Sequence, residues 1–339
     1  MKIYPNDHKR KIGKEEASRP SLVRHGLFPR GALALATSLL AFCIVAGSAR
    51  ANLAEYHSLF LKSGGSLWAT GMNSHGQLGD GTTNNRNSPV QVVASGVAKI
   101  ASGGYYSLFL KSDGSLWAMG QNNYGQLGDG TTTTRNSPVQ VVASGVIQVA
   151  AGFYHSLFLK SDGSLWATGR NSHGQLGDGT TNNRNSPVQV VASGVAKIAS
   201  GGYYSLFLKS DGSLWAMGQN NYGQLGDGTT TTRNSPVQVV ASGVTQIAAC
   251  RDHSLFLKSD GSLWAMGQNN YGQLGDGTTT TRNSPVQIVA SGVTQVGAGI
   301  YSSLFLKSDG SLNAMGYNAK GQLGDGTTTT RNSPVQVVA

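Results

Sequence analysis

Cys250-Arg251-Asp252-His253 sets a thiol, two potential cations and a carboxylate in four consecutive residues. An adjacent Arg or protonated His lowers a thiol's pKa and makes it a nucleophile. Consecutive loop residues point in different directions, however, and four of the other five repeats have Gly where Cys250 stands, so the cluster reads as a local substitution rather than a reactive centre. "GDGT" recurs six times, but without the further oxygen ligands that a calcium loop needs, so its aspartates are expected to cap turns. His57, His155 and His253 each precede the same apolar strand and are expected to pack there. No Ser/His/Asp order, carboxylate pair or H-x-x-x-H spacing stands outside the repeated words. These residues predict neither a catalytic site, a metal site nor a cofactor.

Side chains suited to binding fall in two short stretches of each repeat. The first precedes the strand SLFLKS and contains Tyr56, Tyr105-Tyr106, Tyr154, Tyr203-Tyr204, Arg251 and Tyr301 in successive copies. The second follows the Gly that ends the next strand, and contains His75, Tyr124, Arg170 with His173, Tyr222, Tyr271, and Tyr317 with Lys320. Large amphipathic side chains of this kind dominate binding surfaces. Almost every other position is invariant, so variation and binding chemistry coincide, and a protein or a glycan is the expected ligand.

The elements that must carry these loops follow from the repeat. SLFLKS begins at residues 58, 107, 156, 205, 254 and 303, a constant period of 49. In one period, "YSLFLKS" and "SLWAMG" flank Asp113-Gly114, a tight hairpin, and "VQVVA" (139–143) and "VIQVAAG" (146–152) flank Ser144-Gly145. Four short antiparallel strands cannot bury both faces alone, so neighbouring units must stack, as in an all-β propeller. A parallel β-helix is disfavoured because the Asp-Gly hairpins require antiparallel pairing. The loop between the second and third strands and the loop into the next unit then emerge at one end, while the invariant SDG and ASG turns lie at the other.

The words "HS" before an apolar strand, "DG", "N-x-x-G-Q-L-G" and "PVQV" resemble the regulator-of-chromosome-condensation repeat family over residues 53–339. The resemblance implies a propeller of four-stranded blades, typically seven; six copies are present here. It also implies a protein-interaction module, since some exported bacterial relatives inhibit partners through one face. A guanine-nucleotide exchange role, a polysaccharide-acting enzyme and a structural array without a ligand are alternatives. Trp68, Trp117, Trp166, Trp215 and Trp264 sit two residues earlier than the family's usual Trp, and the sixth copy has Asn313 there. The terminal "SPVQVVA" (333–339) reads as the first strand of a blade, without successor, so pairing of C- and N-terminal strands is expected to complete the sixth blade.

Charge is uneven. The net +10 includes +6 within residues 1–51, and the repeats carry no basic run, which argues against nucleic-acid binding. The N-terminal segment has a basic region, then 17 weakly polar to apolar residues (31–47), then Ala49 and Ala51 in the A-x-A positions. This order predicts a signal peptide over 1–51, cut after Ala51, and a secreted, periplasmic or surface propeller over 52–339. An uncleaved anchor is the alternative, and Cys43 lacks a lipoprotein context. With Cys250 alone in the mature part, no internal disulfide forms. A monomer without stable membrane insertion is expected.

Overall fold

The computed structural model describes residues 49–53 and 56–338; the expected signal segment lies outside the described residues up to Ser48. The described chain is all-β, in six four-stranded antiparallel sheets, each made from consecutive strands. In the second blade these are Val97–Ser102, Tyr106–Lys111, Leu116–Gly120 and Arg135–Val142. The first strands of successive blades adjoin one another, and the fourth strands are the outer edges. Pro138 lies on such an edge, where its missing N–H removes no ladder bond.

Each blade buries both faces by leaning on its neighbours. Leu206, Leu208, Leu214, Ala216 and Leu225 of the fourth blade pack against Val244, Phe256 and Met266 of the fifth. Equivalent clusters fill the other four successive junctions. Polar bonds repeat beside them: Gly228 N–H donates to Asn283 O at 2.9 Å, and Ser254 Oγ donates to Gln224 O at 2.8 Å. In the second to fifth blades the phenylalanine of the apolar strand also stacks on the Trp of its own hairpin, as Phe256 does on Trp264 at 6.1 Å, with Lys258 above the indole at 4.7 Å. Asn313 is buried instead of Trp in the sixth blade, where its side-chain amide donates to Ser311 Oγ at 3.4 Å.

The blade frame differs from the sequence expectation. Arg331–Val338 pairs with Leu312–Gly316 as the fourth strand of the sixth blade, and Ala49–Leu53 pairs with His57–Lys62 as the first strand of the first. RNSPVQVV therefore ends a blade instead of opening one, and each blade draws its strands from one stretch. The reason is the ASG turn, which leads from one blade into the next. Val146 N–H donates to Gly114 O at 3.0 Å, joining the next blade's first strand to the preceding blade's SDG turn.

The sixth and first blades do not repeat the junction bonds among the described residues. A Cβ at Gly272 would lie 2.5 Å from Asn332 Cα of the next blade, whereas at Gly321 it would meet only its own loop. Phe60 is half-buried although its five counterparts are fully buried, and Leu304 and Leu306 are half-buried in the sixth blade.

Candidate binding face

The two variable loops do share one end. Gln121 N–H donates to Tyr105 O at 2.9 Å and Arg170 N–H to Tyr154 O at 2.8 Å, tying each loop after the third strand to the loop before the second. Across blades, Phe153 N–H donates to Gly202 O, and Gly202 N–H to Arg251 O, both at 3.2 Å. The inner loops therefore converge along the first strands. SDG and ASG turns meet at the opposite end, as in the Ser161 N–H to Gly145 O bond of 2.9 Å.

A conserved-in-copy network holds the outer loop. Asp227 accepts from Asn220 Nδ2, Thr229 N–H, Thr229 Oγ1 and Arg233 Nε, and Arg233 Nη2 lies 2.7 Å from its Oδ2. Asn220 Oδ1 in turn accepts Leu225 N–H at 3.0 Å. Burial would raise the Asp227 carboxyl, but bonds from Thr229, Arg233 and Asn220 outweigh it and hold the group below the usual carboxylate range. The same hub recurs at Asp80, Asp129, Asp178, Asp276 and Asp325, so these aspartates cap turns.

Ring contacts gather most of the expected residues into clusters. Tyr56 stacks on Tyr105 at 4.9 Å, and His75 tilts against Tyr105 at 5.1 Å. In the middle, Tyr124 meets Tyr154 at 5.3 Å, Tyr154 meets Tyr203 at 6.1 Å, and His173 meets Tyr203 at 5.4 Å. The Arg170 guanidinium lies over Tyr124, Tyr154 and Tyr203, at 5.1, 5.8 and 5.2 Å from their centroids. A third cluster joins Tyr271, Tyr301 and Tyr317 at 5.0 to 6.4 Å, with Arg251 Nη1 donating to Tyr301 Oη at 2.7 Å. Burial, then the neighbouring Tyr203, Tyr105 and Tyr124, push the Tyr154 phenol up. Burial, then Arg170, pull the His173 imidazole down.

Four expected residues fall elsewhere. Tyr106 and Tyr204 are fully buried: the Tyr106 hydroxyl donates to His155 O, and that of Tyr204 to His253 O, across the junctions. They belong to the core because strand alternation turns each away from its half-buried neighbour, Tyr105 or Tyr203. Tyr222 is exposed without a ring contact, since Asp252 holds the place that Tyr203 and Tyr301 hold in their blades. Lys320 is exposed at the sixth blade's loop. Conversely, Phe153 meets Tyr203 edge-on at 5.6 Å, and Ser172 Oγ accepts Arg170 Nε–H at 2.9 Å. Phe153 was detectable as another variable position, and so was Ser172, whose place is taken by Ser74, Asn123, Asn221, Asn270 and Ala319 in the other copies.

The remaining chemical candidates are structural. His57, His155 and His253 are buried, and their Nε2 atoms lie 2.8–2.9 Å from Ser107, Ser205 and Ser303 Oγ of the next blade. Burial pulls their pKa values down to about 4, 3 and 4, so they are neutral. Cys250 packs against the junction of the fifth and sixth blades, and its N–H bonds His253 O at 3.3 Å, as Gly103 N–H bonds Tyr106 O at 2.9 Å. Burial raises the adjacent Asp252 carboxyl despite Arg251 at 3.4 Å.

The repeat model described as "Regulator of chromosome condensation (RCC1) repeat" matches residues 64–110, 113–159, 162–208, 211–257 and 260–306. A second model of that description matches five further frames between residues 97 and 322. These matches span more than half of the chain, which belongs to the RCC1 repeat family. Among solved structures, human WBSCR16 is similar at 26% identity and a TM-score of 0.75, over 85% of this chain and 81% of that one. A chain of the structure of Kap60 bound to yeast RCC1 (Prp20) is 21% identical with a TM-score of 0.75, over 86% and 74%. Prp20p from Saccharomyces cerevisiae, described with its binding to Gsp1p and histones, is 23% identical with a TM-score of 0.74, over 86% and 76%. Comparison with curated proteins returns no match. The fold is thus an RCC1-type β-propeller built of six blades.

Proposed function

We propose that this chain is a non-catalytic interaction propeller, exported from the cytoplasm, that binds a protein through its variable loop end. One observation carries the reading: loops of successive blades pool Tyr, Phe, His and Arg side chains at one end, while the opposite end repeats a single set of turns. Rigid aromatic side chains supply contact area at low entropic cost. Protein binding by structurally similar chains, Kap60 with yeast RCC1 and Gsp1p and histones with Prp20p, supports the reading in kind. The basic, apolar and small-residue order of residues 1–51 supports export.

The test compares two substitution sets in the full chain. Tyr105→Ser, Tyr154→Ser and Tyr203→Ser together remove rings from the loop end, while Ser144→Asp and Ser242→Asp alter the other end. A crosslinked partner identified by mass spectrometry should be lost with the first set and kept with the second. Equal retention in both, or a chain found wholly in the cytoplasmic fraction, contradicts the proposal.

A further inference from the structure

Residues 66–146 and 164–244 are identical except that Met72 in the first stretch becomes Arg170 in the second. That single difference falls where three tyrosines from three blades meet. Building on the docking-face reading above, we propose that Arg170 is a carboxylate-binding subsite that receives a Glu or Asp side chain of an acidic partner segment.

The guanidinium is held in place but not used up. Ser172 Oγ takes the Nε–H, and the rings of Tyr124, Tyr154 and Tyr203 flank the plane at 5.1–5.8 Å. No hydrogen bond engages the two Nη groups among the described residues, and the side chain is half-exposed. A guanidinium fixed by aromatic rings with both Nη groups available matches the two oxygens of a carboxylate. Fixing the fork beforehand lowers the entropic cost of capturing a ligand. Beside it, Phe153 and Tyr203 offer apolar surface for a residue adjoining the carboxylate.

Charge favours the same occupant. The variable loops present Arg170, Arg251 and Lys320, and their carboxylate among the described residues, Asp252, is already beside Arg251 at 3.4 Å. His173, kept neutral by burial and by Arg170, leaves the arginine as the local charge. The six Asp–Arg hubs, such as Asp178 with Arg184 at 2.7 Å, are self-neutralised and do not alter this balance. An extended protein segment with an acidic residue next to an apolar one fits both features.

Fluorescence anisotropy with a labelled eight-residue peptide of alternating Glu and Leu tests the assignment, with the Gln–Leu peptide and unlabelled polygalacturonate as comparisons. Wild-type protein should bind the Glu peptide and weaken about tenfold or more when Glu becomes Gln. Arg170→Met should cause a similar loss; it restores the residue that the otherwise identical stretch carries at Met72, so the fold tolerates it. Arg170→Lys keeps the charge without the fork and should recover little of the affinity. No binding of the Glu peptide, equal binding by Arg170→Met or Arg170→Lys, or binding of polygalacturonate alone each overturns the proposal. If Arg170→Met has no effect while the triple tyrosine variant loses its crosslinked partner, the docking face stands and only the carboxylate subsite falls.

Discussion

His57, Tyr106, His155, Tyr204, His253 and Ser302 occupy one position in the six copies; all are buried, and the first five bond to the next blade. The sequence made the histidines legible as packing residues, because they open an apolar strand. It did not separate Tyr106 from Tyr105 or Tyr204 from Tyr203, since strand phase decides which of two adjacent tyrosines turns inward. The three histidines impose a pH dependence with a definite sign. Their folded-state pKa values, about 3 to 4, lie below the unfolded value near 6.5, so the unfolded chain binds more protons as the solution is acidified. Stability is full above pH ~6.5 and declines as pH falls towards 4, with a slope of up to about 1.4 kcal/mol per pH unit for each histidine. Urea unfolding between pH 7 and 5 should show this decline. Replacing the three histidines by Asn should flatten it, and an unchanged slope would remove the buried neutral histidines from the account.

At the scale of the element, the hairpins and their 49-residue spacing were legible because Asp-Gly and Ser-Gly turns punctuate alternating apolar runs. The blade frame was not. RNSPVQVV extends through a Pro to eight residues, and nothing local says whether such a strand opens or closes a sheet; the pairing of Val335 with Ala314 decides it. The Trp-to-Asn change in the sixth copy was readable as a weakened hairpin, and it leaves Phe305 and Lys307 without the indole that their counterparts share. Asn313→Trp should restore that stack and the lysine above it, raising stability by about 1–2 kcal/mol. A thermal melt showing no gain would mean that the sixth hairpin has relaxed into a packing of its own. The candidate face was legible residue by residue through differences between copies, but its clustering was not, because it needs the offset between blades that brings Tyr124 to Tyr154 and His173 to Tyr203.

For the whole molecule, five junctions repeat one set of contacts, and among the described residues the sixth and first blades do not. Two glycines of the same type report on that difference. Gly272 and Gly321 both have positive φ, +71° and +73°, so alanine costs each about 1 kcal/mol of backbone strain. At Gly272 the new methyl also collides with Asn332, adding about 1–3 kcal/mol, whereas at Gly321 no neighbouring blade lies within 4 Å. Chemical denaturation should therefore show Gly272→Ala as the more damaging change, and equal losses would mean that the seam is packed like the junctions. The proposed export would have its own signature: the expected cut before Asn52 falls inside the strand Ala49–Leu53 and would leave the first blade a shortened inner strand. Amide exchange of the secreted form should be fastest in that blade, and uniform protection across the six would contradict the expected cut. The central claim is that neighbour-to-neighbour packing sorts the tyrosines into a buried tie and an exposed face at one end. Nitration of the native protein with tetranitromethane, read by tandem mass spectrometry, tests it most directly. The account predicts early nitration of Tyr56, Tyr222 and Tyr271, which are 38–39% exposed, and none of Tyr106 or Tyr204 until the protein unfolds. Nitration of Tyr106 and Tyr204 at the pace of the exposed tyrosines would contradict it.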